Sequence, residues 1–162
     1  MDKFFNQYSY IFLGLGLVLA SIIVLLALRQ RRSVVIGVSA GLAVVLVIGN
    51  FVVRPGSSDV NSVAAAKTLL VNGKPTFVEF FSNYCLGCAA ARPAVDQLVS
   101  RIQDQFNILR VDIHTDFGRD LREEYAFSYS PEFILFDTSG HEVWRSHVPP
   151  SDEQLALAKV AH

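Results

Sequence analysis

The sequence predicts an α/β protein, a mixed sheet with flanking helices, preceded by a two-helix transmembrane hairpin. Three observations carry this. Residues 1–54 hold five basic residues (Lys3, Arg29, Arg31, Arg32, Arg54) and one acid, Asp2, whereas residues 55–162 hold nine basic and fourteen acidic residues. Two long runs in the first part, Phe4 to Leu28 and Ser33 to Val53, contain no charge at all. The second part alternates between helical and strand-like hydrophobic periods. Such a division excludes one soluble domain built from all 162 residues, and it excludes a disordered chain. The acidic second part has no basic stripe, so a nucleic-acid partner is not expected.

The apolar cores, residues 10–28 and 34–53, each have the roughly 20 residues that cross about 30 Å of hydrocarbon as a helix. Neither has the polar face of a helix in a soluble core. The first run is too long for a signal peptide, and Lys3 is balanced by Asp2, so this helix is expected to stay in the mature protein. The link Arg29-Gln30-Arg31-Arg32-Ser33 is short enough to force an antiparallel hairpin over residues 1–54. Its three arginines against Lys3 and Arg54 at the other end favour a cytoplasmic turn. The expectation is a two-span cell-membrane protein with an extracytoplasmic C-terminal domain. Gly37 and Gly41 form a small-xxx-small pair, suited either to packing inside the hairpin or to docking on another membrane protein. Neither span holds an acid, Lys, His or Cys, which argues against an ion pathway or a thiol relay within the membrane.

Residues 55–58 (Pro-Gly-Ser-Ser) read as a linker, and residues 59–162 have the size of one small domain. Asp59 to Val71 is rich in Ala and Leu and reads as a helix closed by Asn72-Gly73-Lys74-Pro75. Thr76–Phe81 reads as a buried strand. Cys85 to about Gln103 is helical, with Val95, Leu98, Val99 and Ile102 on one side and Pro93 inside it. Phe106–Ile113 is a second strand and Phe117–Tyr125 a short helix. Phe133–Phe136 and Glu142–Trp144 flank the turn Asp137-Thr138-Ser139-Gly140 as a hairpin. Ser151 and Gln154 form a capping box for a last helix to about Ala161. The helices between the first two strands make that pair parallel, and the hairpin completes a mixed sheet.

Cys85-Leu86-Gly87-Cys88 falls between a strand and the start of a helix. A helix N-terminus offers unpaired N–H groups and about half a positive charge, which stabilises a thiolate. A second cysteine one turn on can resolve a mixed disulfide. Half a zinc site is an alternative, but His114, His141, His147 and His162 do not pair at ligand spacing. A structural disulfide closing so small a loop would stabilise little, and two unrelated buried cysteines are the third alternative. A redox pair fits the placement best, with no cofactor or metal.

The run Phe77-Val-Glu-Phe-Phe-Ser-Asn-Tyr-Cys-Leu-Gly-Cys88 resembles the active-site strand and helix start of the thioredoxin family, and the similarity extends over about residues 60–161. The resemblance implies Cys85 as nucleophile, Cys88 as resolving cysteine and Pro93 as the proline of the active-site helix. It sets Ser130-Pro131 on the cis-proline loop, where the Ser130 backbone would pair with an extended substrate; an ordinary trans proline opening a strand is the alternative. Glu79 matches the family's buried acid, a catalytic proton carrier for Cys88, and Arg110 lies near the family's buried lysine. The pair could instead keep Glu79 ionised, or face solvent. Tyr84 stands where many members have Trp, Leu-Gly replaces Gly-Pro between the cysteines, and the first strand of the full fold is replaced by the helix 59–71. With Tyr84 and Leu86 shaping the substrate surface, the implied protein is a membrane-anchored thiol–disulfide oxidoreductase of bacterial type. Its partners would be a protein disulfide and a membrane thiol donor or oxidant. An accessory subunit of a membrane complex, using the domain as a scaffold, is the second reading.

Overall fold

The computed structural model describes residues 2–160, the side chains of residues 2 and 3 aside. The charge counted at Lys3, the helix end at Ala161 and His162 therefore lie outside the described residues. Helix α1 (Asp2–Gln7) is separated at Tyr8 from α2 (Ser9–Ala27), and α3 (Arg32–Val53) follows. Both α2 and α3 are long and apolar enough to cross a membrane by length and composition. α2 buries none of its side chains in the fold and α3 buries only Val35 and Ser39, the reverse of a soluble core helix. The turn between them is tight because Arg29 adopts a left-handed conformation (φ 53°) while its N–H and that of Gln30 reach back to Leu26 and Leu25.

The hairpin closes through Ser21 and Ser39, whose hydroxyls lie 3.1 Å apart, and through Tyr10, which donates to the Leu46 carbonyl at 2.7 Å. A Cβ added at Gly14 would lie 3.6 Å from Leu46, and one at Gly49 would lie 3.0 Å from the Tyr10 hydroxyl. At Gly37 and Gly41 it would meet nothing within 4 Å. The hairpin is thus fitted by Gly14 and Gly49, and packing inside it is not what the Gly37/Gly41 pair serves.

The remaining chain forms α4 (Val63–Leu70), β1 (Thr76–Phe81), α5 (Leu86–Ile102), β2 (Asn107–Asp112), α6 (Asp116–Glu124), β3 (Glu132–Phe136), β4 (Glu142–Ser146) and α7 (Asp152–Lys159). The sheet order is β2-β1-β3-β4, with β1 parallel to β2 and the other pairs antiparallel. Alternation along the strands supplies two cores. Val78, Phe80, Leu109, Val111 and Ile134 pack against α4 and α6. Phe77, Phe133 and Leu135 pack against Val95, Leu98 and Ile102 of α5 and Leu155 of α7. β1 is central and every one of its residues is buried, so whatever its C-terminal end carries is rigidly held.

α4 starts four residues later than the sequence predicts. Its first turn is opened by Ser62, whose hydroxyl accepts from Ala65 N–H. The preceding residues serve the sheet edge instead. Asp59 N–H donates to the Arg110 carbonyl (3.0 Å), its carboxylate accepts from Arg110 N–H (2.9 Å), and Ser58 accepts from Asp112 N–H (2.8 Å). Residues 58–59 thereby cover the free edge of β2.

Two substitutions, one on α6 and one just past its end, test this packing with opposite signs. A Cβ on Gly118 would fall 2.1 Å from the Asp112 carbonyl oxygen, so Gly118→Ala forces backbone apart and is expected to cost about 1–3 kcal/mol. Ala126, at the left-handed residue that ends α6 (φ 50°), is better suited to glycine, and Ala126→Gly should stabilise by about 0.5–1 kcal/mol. Thermal unfolding of the two variants should move Tm down and up respectively.

Candidate functional site

The site lies where β1 runs into α5. Cys85 is the residue capping α5, in an extended conformation (φ −98°, ψ 122°), and its sulfur accepts from Cys88 N–H at 3.4 Å. The sulfur takes the place that a Ser or Asp oxygen usually fills at a helix start. The Cys88 thiol, one turn on, is the largest influence holding the Cys85 thiol down at about 6. Burial opposes it, and Ser130 and the N–H groups of Cys88 and Gly87 add to the lowering. Cys88 moves the other way, far above an ordinary thiol, because Cys85 takes its proton as a hydrogen bond and because it is buried. The first proton lost therefore belongs to the pair, with the charge resting on Cys85. Both cysteines are free thiols packed with Phe81.

Ser130-Pro131, joined by a cis peptide, faces this pair. The Ser130 carbonyl lies 3.5 Å from the Cys85 sulfur. A Cβ on Gly87 would come 3.3 Å from the Pro131 ring, so a glycine between the cysteines lets the two loops approach. Behind the loop, a ring nitrogen of His147 lies 2.8 Å from the Pro131 carbonyl, and the buried Glu132 accepts from Ser128 and pairs with Arg145.

Glu79, the fourth residue of β1, is completely buried. Arg110 is its register partner on β2, and the guanidinium Nε lies 2.5 Å from one carboxylate oxygen. Burial pushes the Glu79 carboxyl up, and Arg110 pulls part of that back. Its other oxygen has no hydrogen-bond partner. The alternative of a pair facing solvent is set aside, and Glu79 is the expected buried acid, held on one side by a partly buried arginine.

Tyr84 is partly exposed beside Cys85, stacked on Tyr8 with ring centres 5.9 Å apart. Leu86, half-buried, opens α5. The structure thus brings Cys85, Cys88, Tyr84, Leu86, Ser130 and Pro131 together, with Glu79 on the neighbouring strand. It adds residues that sequence reasoning missed. His114 accepts or donates at Ser82 (2.9 Å) and Tyr8 (3.3 Å), and burial lowers its pKa below the ordinary imidazole value. Asn6 and Ser9 bond directly to the two active-site loops. The polar run Asn6-Gln7-Tyr8-Ser9, ahead of an apolar span, was the available signal.

The thioredoxin family model matches residues 60–158, well over half of the chain. This chain belongs to the thioredoxin family. Relatives of this chain include the chloroplastic thioredoxin-like protein HCF164 of Arabidopsis thaliana. That match is 29% identical over 73 residues, 45% of this chain and 28% of that protein. The thiol:disulfide interchange protein TxlA homolog of Synechocystis is 32% identical over 81 residues, 49% of this chain and 44% of that one. The chain thus spans less than half the length of either relative. Malassezia sympodialis thioredoxin shares the fold with a TM-score of 0.51 at 21% identity, over 60% of this chain and 84% of that structure. The thioredoxin of Trypanosoma brucei brucei gives 0.50 at 18% identity, over 57% and 79%.

Removing the Cys88 thiol should expose its part in holding the thiolate. In the reduced wild-type protein, absorbance at 240 nm should rise with a midpoint near pH 6. In Cys88→Ala the midpoint should move upward, toward the ordinary thiol value of 9.0. An unmoved midpoint would mean that the helix N–H groups alone hold Cys85.

Proposed function

We propose that the protein is a membrane-tethered thiol–disulfide oxidoreductase that reduces protein disulfides through the Cys85/Cys88 dithiol. Residues 1–54 form the anchoring hairpin, 55–58 the linker and 59–162 the catalytic domain. The observation that carries the reading is the Cys85 sulfur capping α5 with its pKa held at about 6, which leaves roughly nine-tenths of it thiolate at pH 7.

Cys85 attacks one sulfur of a substrate disulfide. The substrate S–S bond breaks, a Cys85–substrate disulfide forms, and the departing sulfur takes up a proton from water. Cys88 then gives its proton, through water, to Glu79 and attacks the Cys85 sulfur. The mixed disulfide breaks, a Cys85–Cys88 disulfide forms, and the second substrate sulfur leaves as a thiol by taking the proton back from Glu79 through water. Two electrons pass from the dithiol to the substrate. Burial makes Glu79 a stronger base when ionised, as this step needs. Ser130 and Pro131 bind the substrate backbone, and Tyr84 and Leu86 form the surface around the sulfur. The lowered Cys85 pKa stabilises the reduced dithiol, so a thiol donor in the membrane can reset the disulfide.

Two apolar helices near the N-terminus support membrane association. The two ends of the hairpin meet the same domain: Ser9 accepts from Leu86 N–H, and Arg92 donates to the Val52 and Arg54 carbonyls. The arginine-rich turn at the far end supports a domain outside the cytoplasm through the positive-inside rule. The open Gly37/Gly41 face of α3 supports the second reading, an accessory subunit of a membrane complex.

Insulin reduction by the full chain tests the activity. Cys85→Ser should abolish it, and Cys88→Ala should accumulate a substrate disulfide on Cys85; an active Cys85→Ser variant would overturn the reading. Glu79→Gln should slow turnover roughly ten- to a hundredfold with KM unchanged, and a rate equal to wild type would remove Glu79 from the mechanism.

A further inference from the structure

Two loops, 84–86 and 130–131, flank the Cys85 sulfur, and each presents main-chain groups that its own fold leaves free. All of those groups are already taken by the start of the same chain. Ser130 N–H and hydroxyl both donate to the Asn6 side-chain oxygen, at 3.0 and 3.1 Å. Leu86 N–H, the first of α5, donates to the Ser9 hydroxyl at 2.9 Å. Tyr10 N–H, free because it lies in the first turn of α2, donates to the Tyr84 carbonyl at 2.9 Å. Ser82 donates to the Gln7 carbonyl at 2.8 Å, and the Tyr8 ring covers Tyr84 and His114. Cys85 is left 2% exposed.

We propose that residues 6–10 are an internal competitor for the polypeptide-binding groove, so that Cys85 is closed to substrate until this segment leaves. This rests on the oxidoreductase reading for its consequence but on the hydrogen bonds above for its geometry. Buried N–H groups left without an acceptor are unfavourable, so opening is favoured when an incoming polypeptide supplies its own carbonyls to Ser130 and Leu86. The segment has a joint for the purpose. Tyr8 interrupts the helix between α1 and α2, so Asn6 can swing away while α2 keeps its place; Ser9 and Tyr10 leave only if the hairpin tilts from the domain. A substrate held at the same depth as the end of α2 is best placed to make this exchange.

The test uses the full chain in phospholipid nanodiscs and reads the rate of Cys85 alkylation by iodoacetamide at pH 8, located by mass spectrometry. Asn6→Ala should raise the rate at least fivefold, and Asn6→Ala combined with Ser9→Ala should raise it further. Asn6→Asp keeps an acceptor oxygen for Ser130 and should react at the parental rate. Equal rates in Asn6→Ala and the parent would overturn the proposal, as would equal acceleration in Asn6→Ala and Asn6→Asp. Insulin reduction in the same samples separates the two ideas. Faster alkylation with faster reduction supports both; faster alkylation with no reduction in any sample upholds the closed groove and removes the oxidoreductase reading.

Discussion

The first turn of α5 has N–H groups that no carbonyl of its own helix can reach, and the site depends on what meets them. Leu86 N–H goes to Ser9, and Cys88 N–H goes to the Cys85 sulfur. A neutral thiol is a poor acceptor and a thiolate a good one, so the helix start is best satisfied when Cys85 is ionised. The Cys88 thiol adds to this by donating to the same sulfur. One residue becomes a nucleophile and its neighbour three positions on keeps its proton, although both are cysteines in one buried patch. β1, buried along its whole length, leads directly into this helix start and holds it in place.

The acidic character of the domain makes this arrangement necessary. The groups that lower the Cys85 pKa are Cys88, Ser130 and the N–H groups of Cys88 and Gly87, while Arg110 is engaged with Glu79 and Asp96. Glu79 occupies the position of the strand that faces α5, where its desolvation is complete, and Arg110 satisfies one of its two oxygens.

Much of the fold was legible because its signals are local. Alternation in Thr76–Phe81, the turn Asp137-Thr138-Ser139-Gly140 with Gly140 at φ 83°, and the Ser151/Gln154 capping box each specify an element from a few residues. The cysteine pair and the Ser130-Pro131 loop were legible for the same reason and through resemblance. What escaped depends on distant partners. Asp59 looks like part of a helix until β2 offers it an edge to cover. Gly37 and Gly41 look like a packing motif, yet Gly14 and Gly49 do that work, because which face of a helix meets its neighbour is set by the turn at Arg29. The bonds from Asn6 and Ser9 to loops more than seventy residues away leave only a short polar run ahead of an apolar span as their trace, and nothing in it names the partners.

At neutral pH the reduced protein is expected to hold one thiolate, on Cys85, and one thiol, on Cys88. The midpoint potential of the Cys85–Cys88 couple measured against pH tests it most directly. Below pH 6 reduction takes up two protons with two electrons, giving a slope of about 59 mV per pH unit. Above pH 6 it should take up only one, and the slope should fall to about 30 mV per pH unit. A slope that stays near 59 mV per unit up to pH 8.5 would mean that both thiols keep their protons, and the account of the helix start would fail.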